Sequence, residues 1–462
     1  MKKHRLSILI LLIFICSGCV SSERPSVLHV AMPYSDKVQD VESNYYINWL
    51  SEKTGLTLDI TLIRQSRSTE YLEALFESDA DIDVVLFGGP LTVREEELEK
   101  YKDRIYSENG TLCYYNNGSG RLSGAGQILW INSDWLKKLG LSIPKTDAQL
   151  REVLRAFRDR DPNGNGLADE IPLAASWESY ASSPVEFLLN SYVYNDPYHS
   201  RFGIGEEAGA PVAGTDAFRE GLVFAHGLYE EGLLADAGMA SVRQLSELVN
   251  SPADLVGAFT TASVSDVIYP GNPEILSKYT YVAPLAGPEG VQNALYAENR
   301  PEVGAIITER STRKEEAKLL LDTMLGEEAS LIARFGEQGV DWDYSAGTDV
   351  SVYEGPSTIV TRNYLWNTLQ NKHLNGIGPM NVPVRYLEGV TWNGVNSDTE
   401  YIDGHAQMGY RPYLPEVMRF HAPDAELSEY TDSRIREFVC GQRNIGSDEE
   451  WEEYRKGLEC FY

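Results

Sequence analysis

The apolar positions of the chain fall into short runs that alternate with amphipathic segments. Buried-type runs at residues 27–32, 56–63 and 83–87 predict three strands, and segments with helical spacing at 41–53 and 68–77 separate them. A strand–helix–strand–helix–strand order predicts a mostly parallel sheet with crossover helices. The first part of the chain is therefore of the α/β class.

The same kind of pattern predicts a second α/β region downstream. Its clearest helix covers residues 147–158, where apolar residues from Leu150 to Phe157 recur at i, i+3, i+4 and i+7. Thr146 is the predicted N-cap, with Gln149 as its partner in a capping box. Further predicted elements are helices at residues 184–191, 215–231 and around 435–441, and strands at 256–259, 279–283 and 303–307.

The length of 462 residues exceeds what a single hydrophobic core normally supports, so we expect two lobes. Weakly periodic stretches near residues 110–126, 285–302 and 343–350 are the predicted crossings between them. The predicted division is a leader at 1–18, a tether at 19–26, a first lobe made of 27–126 and 290–345, and a second lobe made of 127–289 and 346–462, which contains the loop 159–170.

In open α/β sheets, ligands bind at the carboxyl ends of the strands. The turns after Met32 and Phe87 therefore lie at the edge of a predicted cleft, where Tyr34, Gly88 and Gly89 are candidates for ligand contact. The glycine pair has neither of the two phosphate-binding spacings, and a plain tight turn is the alternative interpretation.

The first 18 residues have the pattern of an export signal. Lysine and arginine side chains make the start basic, and the apolar run at residues 6–16 is too short to span a bilayer. Gly18-Cys19 after that run resembles a bacterial lipobox, which implies lipidation of Cys19 and a membrane anchor. No later segment of the sequence is apolar enough for a membrane span.

Composition and cysteine spacing narrow the classes of function. The formal net charge of −29 becomes −32 when three lysine and arginine residues leave with the leader. Such acidity disfavours binding to nucleic acids or anionic membrane surfaces. Cys16 and Cys19 belong to the N-terminal segment, and for the others a Cys440–Cys460 disulfide or three free thiols, with Cys113, are the alternatives. No cysteine or histidine spacing points to zinc or redox chemistry.

The densest group of oxygen-bearing side chains lies in the loop at residues 159–170, which also contains two glycines. Hard cations such as calcium take about six to eight oxygen ligands on a tightly curled backbone. The register that we favour uses the side chains or carbonyl of Asp161, Asn163, Asn165, Leu167, Asp169 and Glu170. A second register starts at Asp159 and reaches Glu170 at position 12 of an EF-hand pattern. A polar turn without a metal is the alternative interpretation.

The order of motifs around this loop resembles one protein family. A helix ending in Leu-Gly-Leu is followed by Pro-x-Thr, a second helix, Asp-Pro-Asn-Gly-Asn-Gly at 161–166 and Asp-Glu-Ile-Pro at 169–172, with Gly-Val-Asp-Trp at 339–342. These motifs resemble the family 1 extracellular solute-binding lipoproteins of carbohydrate ABC importers, and among them the larger alginate-oligosaccharide-binding proteins. The resemblance to this family is strongest in residues 127–172 and 303–342.

The resemblance implies a periplasmic-binding-protein-like fold, with two lobes of sheets flanked by helices and joined by a hinge. It implies a monomer, lipid-anchored on the extracellular face, that delivers an oligosaccharide to permease subunits and holds a structural calcium with the ligands of the first register. A surface adhesin, a sensor input domain and a polysaccharide-active enzyme are the alternatives. The sequence lacks the standard hydrolase motifs. An enzyme would therefore have to be a glycosidase whose two catalytic Asp or Glu residues lie far apart in the sequence.

Sugar sites combine flat aromatic rings with polar side chains, because pyranose faces are apolar and their rims carry hydroxyls. Trp177 is predicted to stack from the second lobe and Trp366 from the C-terminal third. The full set of aromatic candidates is Tyr34, Trp177, Tyr180, Trp366 and Trp392, and packing in the core or on the surface is the alternative for each.

Replacing Cys19 tests the predicted anchor. Cys19→Ala should release the protein into the medium or leave it unprocessed, because the lipid-bearing thiol is lost. Fractionation of cells and mass spectrometry of the purified protein measure both results. Unchanged membrane retention together with an unchanged mass would contradict lipidation at this residue.

Overall fold

The structure is a computed structural model that describes residues 26–64, 68–78, 80–88, 91–117, 124–203, 211–235, 241–269, 272–297, 302–347, 349–351, 353, 355–363, 365, 368–393, 397–415 and 424–461. The predicted leader and Cys19 lie outside these residues. Within the described ranges, no helix is both long and apolar enough to cross a membrane. Cys113, Cys440 and Cys460, which all lie within the described residues, form no disulfide, so the Cys440–Cys460 alternative is not realised.

The strands in chain order are β1 (Val27–Pro33), β2 (Thr57–Ile63), β3 (Val84–Leu86), β4 (Ser107–Glu108), β5 (Thr111–Leu112), β6 (Tyr114–Asn117), β7 (Gly124–Ala125), β8 (Ile128–Asn132), β9 (Ala258–Thr261), β10 (Tyr279–Val282), β11 (Tyr296–Ala297), β12 (Glu302–Ile307), β13 (Trp342–Tyr344), β14 (Ile359–Thr361) and β15 (Val390–Trp392). The helices are α1 (Tyr45–Thr54), α2 (Ser68–Glu77), α3 (Glu95–Leu98), α4 (Ser133–Leu139), α5 (Asp147–Asp159), α6 (Pro184–Leu189), α7 (Asp216–Glu230), α8 (Val242–Val249), α9 (Pro273–Leu276), α10 (Lys314–Leu325), α11 (Glu327–Phe335), α12 (Val384–Glu388), α13 (Ser397–Tyr410), α14 (Ala425–Val439) and α15 (Asp448–Leu458).

The first lobe is built on a five-stranded sheet with the order β2-β1-β3-β12-β6. β1 pairs in parallel with β2 and β3, as the sequence pattern predicts, whereas β12 pairs antiparallel with β3 and β6. The two faces of the sheet bury separate apolar clusters, one around Val30 and Leu321 and the other around Phe87 and Ile306. Because the centre of the sheet is covered on both faces, its inner strands β3 and β12 are continuous apolar runs, whereas the edge strand β2 is mostly exposed.

The second lobe packs helices around the antiparallel sheet β10-β8-β9. The apolar face of α5 is fully buried in its core, where the rings of Trp135 and Phe157 meet edge to face at 5.2 Å. Each such buried side chain contributes about 1.5–3 kcal/mol. The hydroxyl of Thr146 accepts a hydrogen bond from the N–H of Gln149 at 3.1 Å, so the predicted N-cap is confirmed.

The described residues between β14 and β15 pack in the first lobe, whereas the predicted division places 346–462 in the second. Ile359, Met380 and Val390 belong to the same apolar core as β1 and α10. β14 pairs antiparallel with β13 and parallel with β15, which makes a small sheet on that lobe. The prediction was wrong because these strands have three residues each, too few to show a period, and long-range pairing sets their position.

Chain crossings between the lobes meet at one place. β7 and β11 form a two-stranded antiparallel ribbon in which Tyr296 lies opposite Ala125. The side chain of Gln407, on α13, accepts a hydrogen bond from the N–H of Ala125 at 2.8 Å and donates one to its carbonyl at 3.3 Å. Gly124 leaves room for this amide, since a Cβ there would lie 2.4 Å from its oxygen. The third crossing does not lie at the predicted 343–350, since β14 and β15 still belong to the first-lobe core, and α13 is the next element that packs into the second.

Neighbouring residues of α13 pack into different lobes. Tyr401 packs against the first-lobe core and Ile402 against the second-lobe core, to which Ala406 and Tyr410 also belong. The hydroxyl of Tyr410 donates a hydrogen bond to the carbonyl of Val282 at 2.6 Å. The helix is therefore anchored in the second lobe and touches the first.

Gln407→Ala should loosen the ribbon, because both polar groups of the Ala125 backbone lose their partner. We expect the free energy of unfolding to fall by about 1–2 kcal/mol. Hydrogen exchange at the ribbon amides should become faster, which mass spectrometry measures. Gln442→Ala, at an exposed position, is the matched control. Exchange at the ribbon equal to that of the wild type would contradict the assignment.

Candidate functional site

The loop after α5 folds around the side chain of Asp161. Its Oδ1 accepts hydrogen bonds from the N–H groups of Gly164 and Asn165 at 2.9 and 3.1 Å, and its Oδ2 accepts one from Gly166 at 3.0 Å. Both glycines have φ of +77°, which residues with a side chain rarely adopt. Asp159 instead pairs with a neighbouring arginine. This curl favours the first of the two registers.

The acidic end of the loop contains an acceptor that lacks a partner. The amides of Asn163 and Asn165 donate to the carboxylate of Asp169 at 3.0 to 3.2 Å. Oε1 of Glu170 is buried and has no hydrogen-bond partner among the described residues. Burial raises the pKa of Glu170, and the charges of Asp161 and Asp169 act in the same direction. A cation held by these oxygens would give Oε1 of Glu170 a partner and would offset the repulsion between the carboxylates. The residues therefore fit the calcium that the resemblance implies.

Contacts on both sides tie this loop to the second lobe. Nζ of Lys138 donates to the carbonyl of Pro162 at 3.0 Å, and the N–H of Ile171 donates to the carbonyl of Leu255 at 2.8 Å. In the part of the chain that the structure describes, no three His, Cys, Asp or Glu side chains are placed to hold a metal ion. A cation here would therefore also depend on asparagine and carbonyl oxygens, as in the first register.

Trp177 and Tyr180 lie in one loop of the second lobe. The ring of Trp177 is half-buried against the second-lobe core, with the guanidinium of Arg436 5.7 Å from its centre. Its Nε1 is buried and has no hydrogen-bond partner among the described residues. Nε2 of Gln127 donates to the carbonyls of Tyr180 and Ser183 at 2.8 Å, which fixes the loop. The structure thus brings these two predicted residues together.

Tyr198 lies next to Tyr180 and contacts the other lobe. Its ring lies 6.1 Å from the ring of Tyr180, and 42% of the residue is exposed. Its hydroxyl accepts a hydrogen bond from Arg94 at 2.5 Å, and the guanidinium lies 5.9 Å from the ring centre. Because Arg94 follows β3 in the first lobe, this contact joins the two lobes.

Carboxylates on α13 lie near Tyr353 of the first lobe. Asp403 accepts hydrogen bonds from the hydroxyl of Ser263 at 2.5 Å and from the N–H of Val264 at 2.8 Å. Burial raises the pKa of Asp403 to about 8, and the charge of Glu400 contributes. Burial and then the charge of Glu400 also raise the pKa of Tyr353. Asp403 nevertheless keeps part of its surface accessible to solvent.

A second contact joins the lobes beside Tyr353. The guanidinium of Arg411, which follows α13, lies 5.4 Å from the centre of the tyrosine ring and 3.7 Å from the carboxylate of Glu388. We call the space between these contacts the cleft. Its boundary is formed by Arg94 and Tyr353 of the first lobe and by Tyr180, Tyr198 and Asp403 of the second.

The first-lobe candidates Tyr34 and Gly88 have other surroundings. Tyr34 lies under the guanidinium of Arg64, 3.8 Å from the ring centre, and lines a groove of about 610 Å³ whose lining residues all belong to the first lobe. Gly88 has φ of +115°, and a Cβ there would lie 2.2 Å from the carbonyl oxygen of Gly376. Close backbone packing therefore explains this glycine, and ligand contact is not needed for it.

The remaining candidates do not lie at the cleft boundary. Trp392 lies in β15 with 8% of its surface exposed and belongs to the first-lobe core, so its ring is not available for stacking. Gly89 and Trp366 lie outside the described residues.

Sequence reasoning missed four residues that bound the cleft, namely Arg94, Tyr198, Tyr353 and Asp403. For Asp403 a signal was available, because Glu400, Asp403 and Gln407 recur at i, i+3 and i+7 and share one face of a helix. For the other three, the loops that carry them show no period, and only the fold places them.

Comparisons with known proteins agree with this architecture. The family model for bacterial extracellular solute-binding proteins matches residues 63–330, more than half of the chain. The fructooligosaccharide ABC transporter substrate-binding protein FusA of Streptococcus pneumoniae is 24% identical over 410 residues, which cover 79% of this chain and 70% of FusA. Lipoprotein LipO of Bacillus subtilis is 26% identical over 243 residues, covering 50% of this chain and 47% of LipO.

Solved structures share the fold. FusA from S. pneumoniae in complex with kestose has a TM-score of 0.69 at 21% identity, with 94% of this chain and 96% of that chain covered. An EF-hand mutant of FusA in complex with fructo-nystose gives the same values. Alginate-binding protein AlgQ2 without calcium ion has a TM-score of 0.59 at 16% identity, with 95% of each chain covered. The predicted periplasmic-binding-protein-like α/β fold is confirmed, and the chain belongs to the bacterial extracellular solute-binding proteins.

Proposed function

We propose that the protein binds an oligosaccharide in the cleft and delivers it to the permease of an ABC importer. The observation that carries the proposal is the composition of the cleft boundary, where half-buried aromatic rings stand next to carboxylates. Apolar sugar faces pack on such rings, and sugar hydroxyls donate to such carboxylates. FusA, which is named for fructooligosaccharides and has been solved with kestose, supports an oligosaccharide as the ligand.

In this proposal Trp177 and Tyr180 hold the ligand from the second lobe, and Tyr353 contacts it from the first. The ribbon and α13 act as the hinge about which the lobes close. Tyr34 and Trp366 stay predictions as further contacts. The role is binding and release without chemistry at the sugar, carried out by a monomer that does not bind nucleic acid.

We also propose that the protein works on the extracellular face of the membrane, held by a lipid on Cys19. The family is extracellular, and the name of LipO describes a lipoprotein, which supports an anchor of this kind. The Gly18-Cys19 motif at the end of the apolar run is the support within this chain. An anchor of this type keeps the binding protein close to its permease.

The loop at 159–170 is proposed to hold a structural calcium. Calcium would supply a compact positive charge for the carboxylates of Asp161, Asp169 and Glu170, while Asn163 and Asn165 would contribute amide oxygens and Leu167 its carbonyl. The orphaned acceptor of Glu170 supports this proposal from the protein side. Among the relatives, an EF-hand mutant of FusA and a calcium-free form of AlgQ2 have been solved.

A ligand screen followed by Trp177→Ala tests the proposed function. Wild-type protein should show a raised unfolding midpoint with at least one member of an oligosaccharide library, because the ligand binds only the native state. Calorimetry with that sugar should then show an affinity about ten- to hundredfold lower for Trp177→Ala, which corresponds to about 1–3 kcal/mol of stacking.

Tyr269→Ala removes an exposed aromatic ring from the same lobe and is the matched control, with unchanged affinity expected. Wild-type affinity in a folded Trp177→Ala variant would show that this ring does not contact the ligand. A failure of all library sugars to bind would count against the function itself.

Chelation tests the calcium proposal. Removing calcium should lower the unfolding midpoint of the wild type, and Asp169→Ala combined with Glu170→Ala should abolish that sensitivity. Asp159→Ala separates the two registers, since it should keep the calcium response in the first and lose it in the second. Purified protein without bound calcium and without a chelator effect would refute the proposal.

A further inference from the structure

The loop at residues 195–201 is buried except for the side chain of Tyr198. Of this residue 42% is exposed, and its ring lies at the cleft boundary. The other residues of the loop are all buried, namely Asn195, Asp196, Pro197, His199, Ser200 and Arg201. Packing into the apolar core therefore accounts for the loop but not for the position of this ring.

A buried arginine holds the end of the loop. The guanidinium of Arg201 donates to the two carboxylate oxygens of Glu186 at 2.6 and 3.0 Å and to the side-chain oxygen of Asn195 at 2.7 Å. It also donates to the carboxylate of Asp432 at 2.5 Å. Burying an ion pair adds little to stability, because the desolvation of both charges offsets their attraction. Since Glu186 lies on α6 and Asp432 on α14, these bonds instead tie the loop to two helices.

The backbone around Tyr198 is fixed as well. Oδ1 of Asp196 accepts the N–H groups of Tyr198 and His199, each at 3.1 Å, and its Oδ2 lies 2.6 Å from Nδ1 of His199. Ser200 and Arg201 have φ of +62° and +55°, which residues with a side chain rarely adopt. Such strain costs free energy and is typical of binding sites, where it holds a side chain in position before the ligand arrives. The loop thus has the features of a support for the ring of Tyr198.

Aromatic neighbours in the second lobe leave ring surface of Tyr198 accessible. The imidazole of His199 lies 4.9 Å from its ring centre, with 89° between the two planes. The ring of Tyr180 lies 6.1 Å away, with 50° between the planes. Neither neighbour lies parallel to Tyr198, and the exposed fraction of the residue leaves room for a flat ligand to do so.

The arginine from the first lobe approaches the hydroxyl end of this ring. Arg94 donates to the hydroxyl of Tyr198 at 2.5 Å, and its guanidinium lies 5.9 Å from the ring centre. By comparison, the guanidinium of Arg64 lies 3.8 Å from the centre of Tyr34 and covers that ring. Arg94 therefore leaves the face of Tyr198 uncovered. A guanidinium carries several N–H donors, so Arg94 can bond to the tyrosine and to a ligand together.

We propose that Tyr198 and Arg94 bind one sugar unit of the oligosaccharide between the two lobes. The ring of Tyr198 packs on the apolar face of this unit, and Arg94 donates hydrogen bonds to its hydroxyls. Because the loop holds the ring in place beforehand, binding spends little free energy on ordering it. The inference rests on the proposed function and adds one contact from each lobe to those already proposed.

Calorimetry with a set of trisaccharides tests the inference. The set contains kestose and the trimers of glucose, mannose, xylose and galacturonate, and the sugar that binds the wild type most tightly is then used for the variants. Tyr198→Ala should lower the affinity about ten- to hundredfold, because the stacked ring is lost. Tyr198→Phe keeps the ring and should lose less than about tenfold, and Arg94→Ala should lose about tenfold with its hydrogen bonds to the sugar.

Two controls remove exposed side chains of the same type elsewhere, Tyr269→Ala in the second lobe and Arg104→Ala in the first, and both should bind as the wild type does. Unfolding midpoints show whether each variant is folded. Tyr198→Leu, which keeps much of the volume without the flat ring, replaces the alanine variant if that variant does not fold.

Wild-type affinity in a folded Tyr198→Ala or Tyr198→Leu variant would overturn the role of the ring. A Tyr198→Phe variant as weak as Tyr198→Ala would overturn it too, because the contact between the hydroxyl and Arg94 would then carry the effect. Wild-type affinity in Arg94→Ala would overturn the role of this arginine. In each of these cases the wild type still binds a sugar and the proposed function stands. Binding of none of the sugars by the wild type would count against the proposed function, and the inference would fall with it.

Discussion

The arrangement of the molecule depends on how α13 is held between the two cores. Its buried face fixes it in the second lobe through Ala406 and Tyr410, and Tyr401 contacts the first-lobe core. Gln407 binds the ribbon, and Asp403, four residues earlier, accepts hydrogen bonds from Ser263 and Val264. One helix therefore contacts both lobes, holds the ribbon and supplies part of the proposed binding site.

The ribbon that we propose as the hinge is held more weakly than the interior of either lobe. The two large cores bury apolar side chains that contribute about 1.5–3 kcal/mol each, so each lobe is rigid. The ribbon, in contrast, has two residues in each strand, and its clamp by Gln407 consists of two hydrogen bonds worth about 1 kcal/mol each. The proposed rotation about this ribbon would therefore change the cleft without disturbing either core.

Sequence patterns predicted those parts of the fold that depend on interactions between residues close together in the chain, such as helix caps and tight turns. Thr146 caps its helix as its residue type dictates, and the curl around Asp161 follows from the spacing of its glycines and asparagines. The strands β14 and β15 show the limit, because three-residue strands have no period and their partners lie far away in the sequence. Trp392 illustrates the same limit for the site, since its residue type suits both a stacking platform and a buried core, and only the fold decides.

Two places in this acidic protein gather carboxylates in surroundings that disfavour their charged form. In the loop, burial and the charges of Asp161 and Asp169 raise the pKa of Glu170. In the cleft, burial and the charges of Glu400 and Asp266 raise the pKa of Asp403. Such arrangements cost free energy in the isolated chain, and a bound species that supplies positive charge or hydrogen-bond donors recovers it. The closed, oxygen-rich loop suits a cation, whereas the proposed cleft with its aromatic rings suits the hydroxyls of a sugar. The same physical cost thus points to two different ligands, and the shape around each set of carboxylates decides which ligand it is.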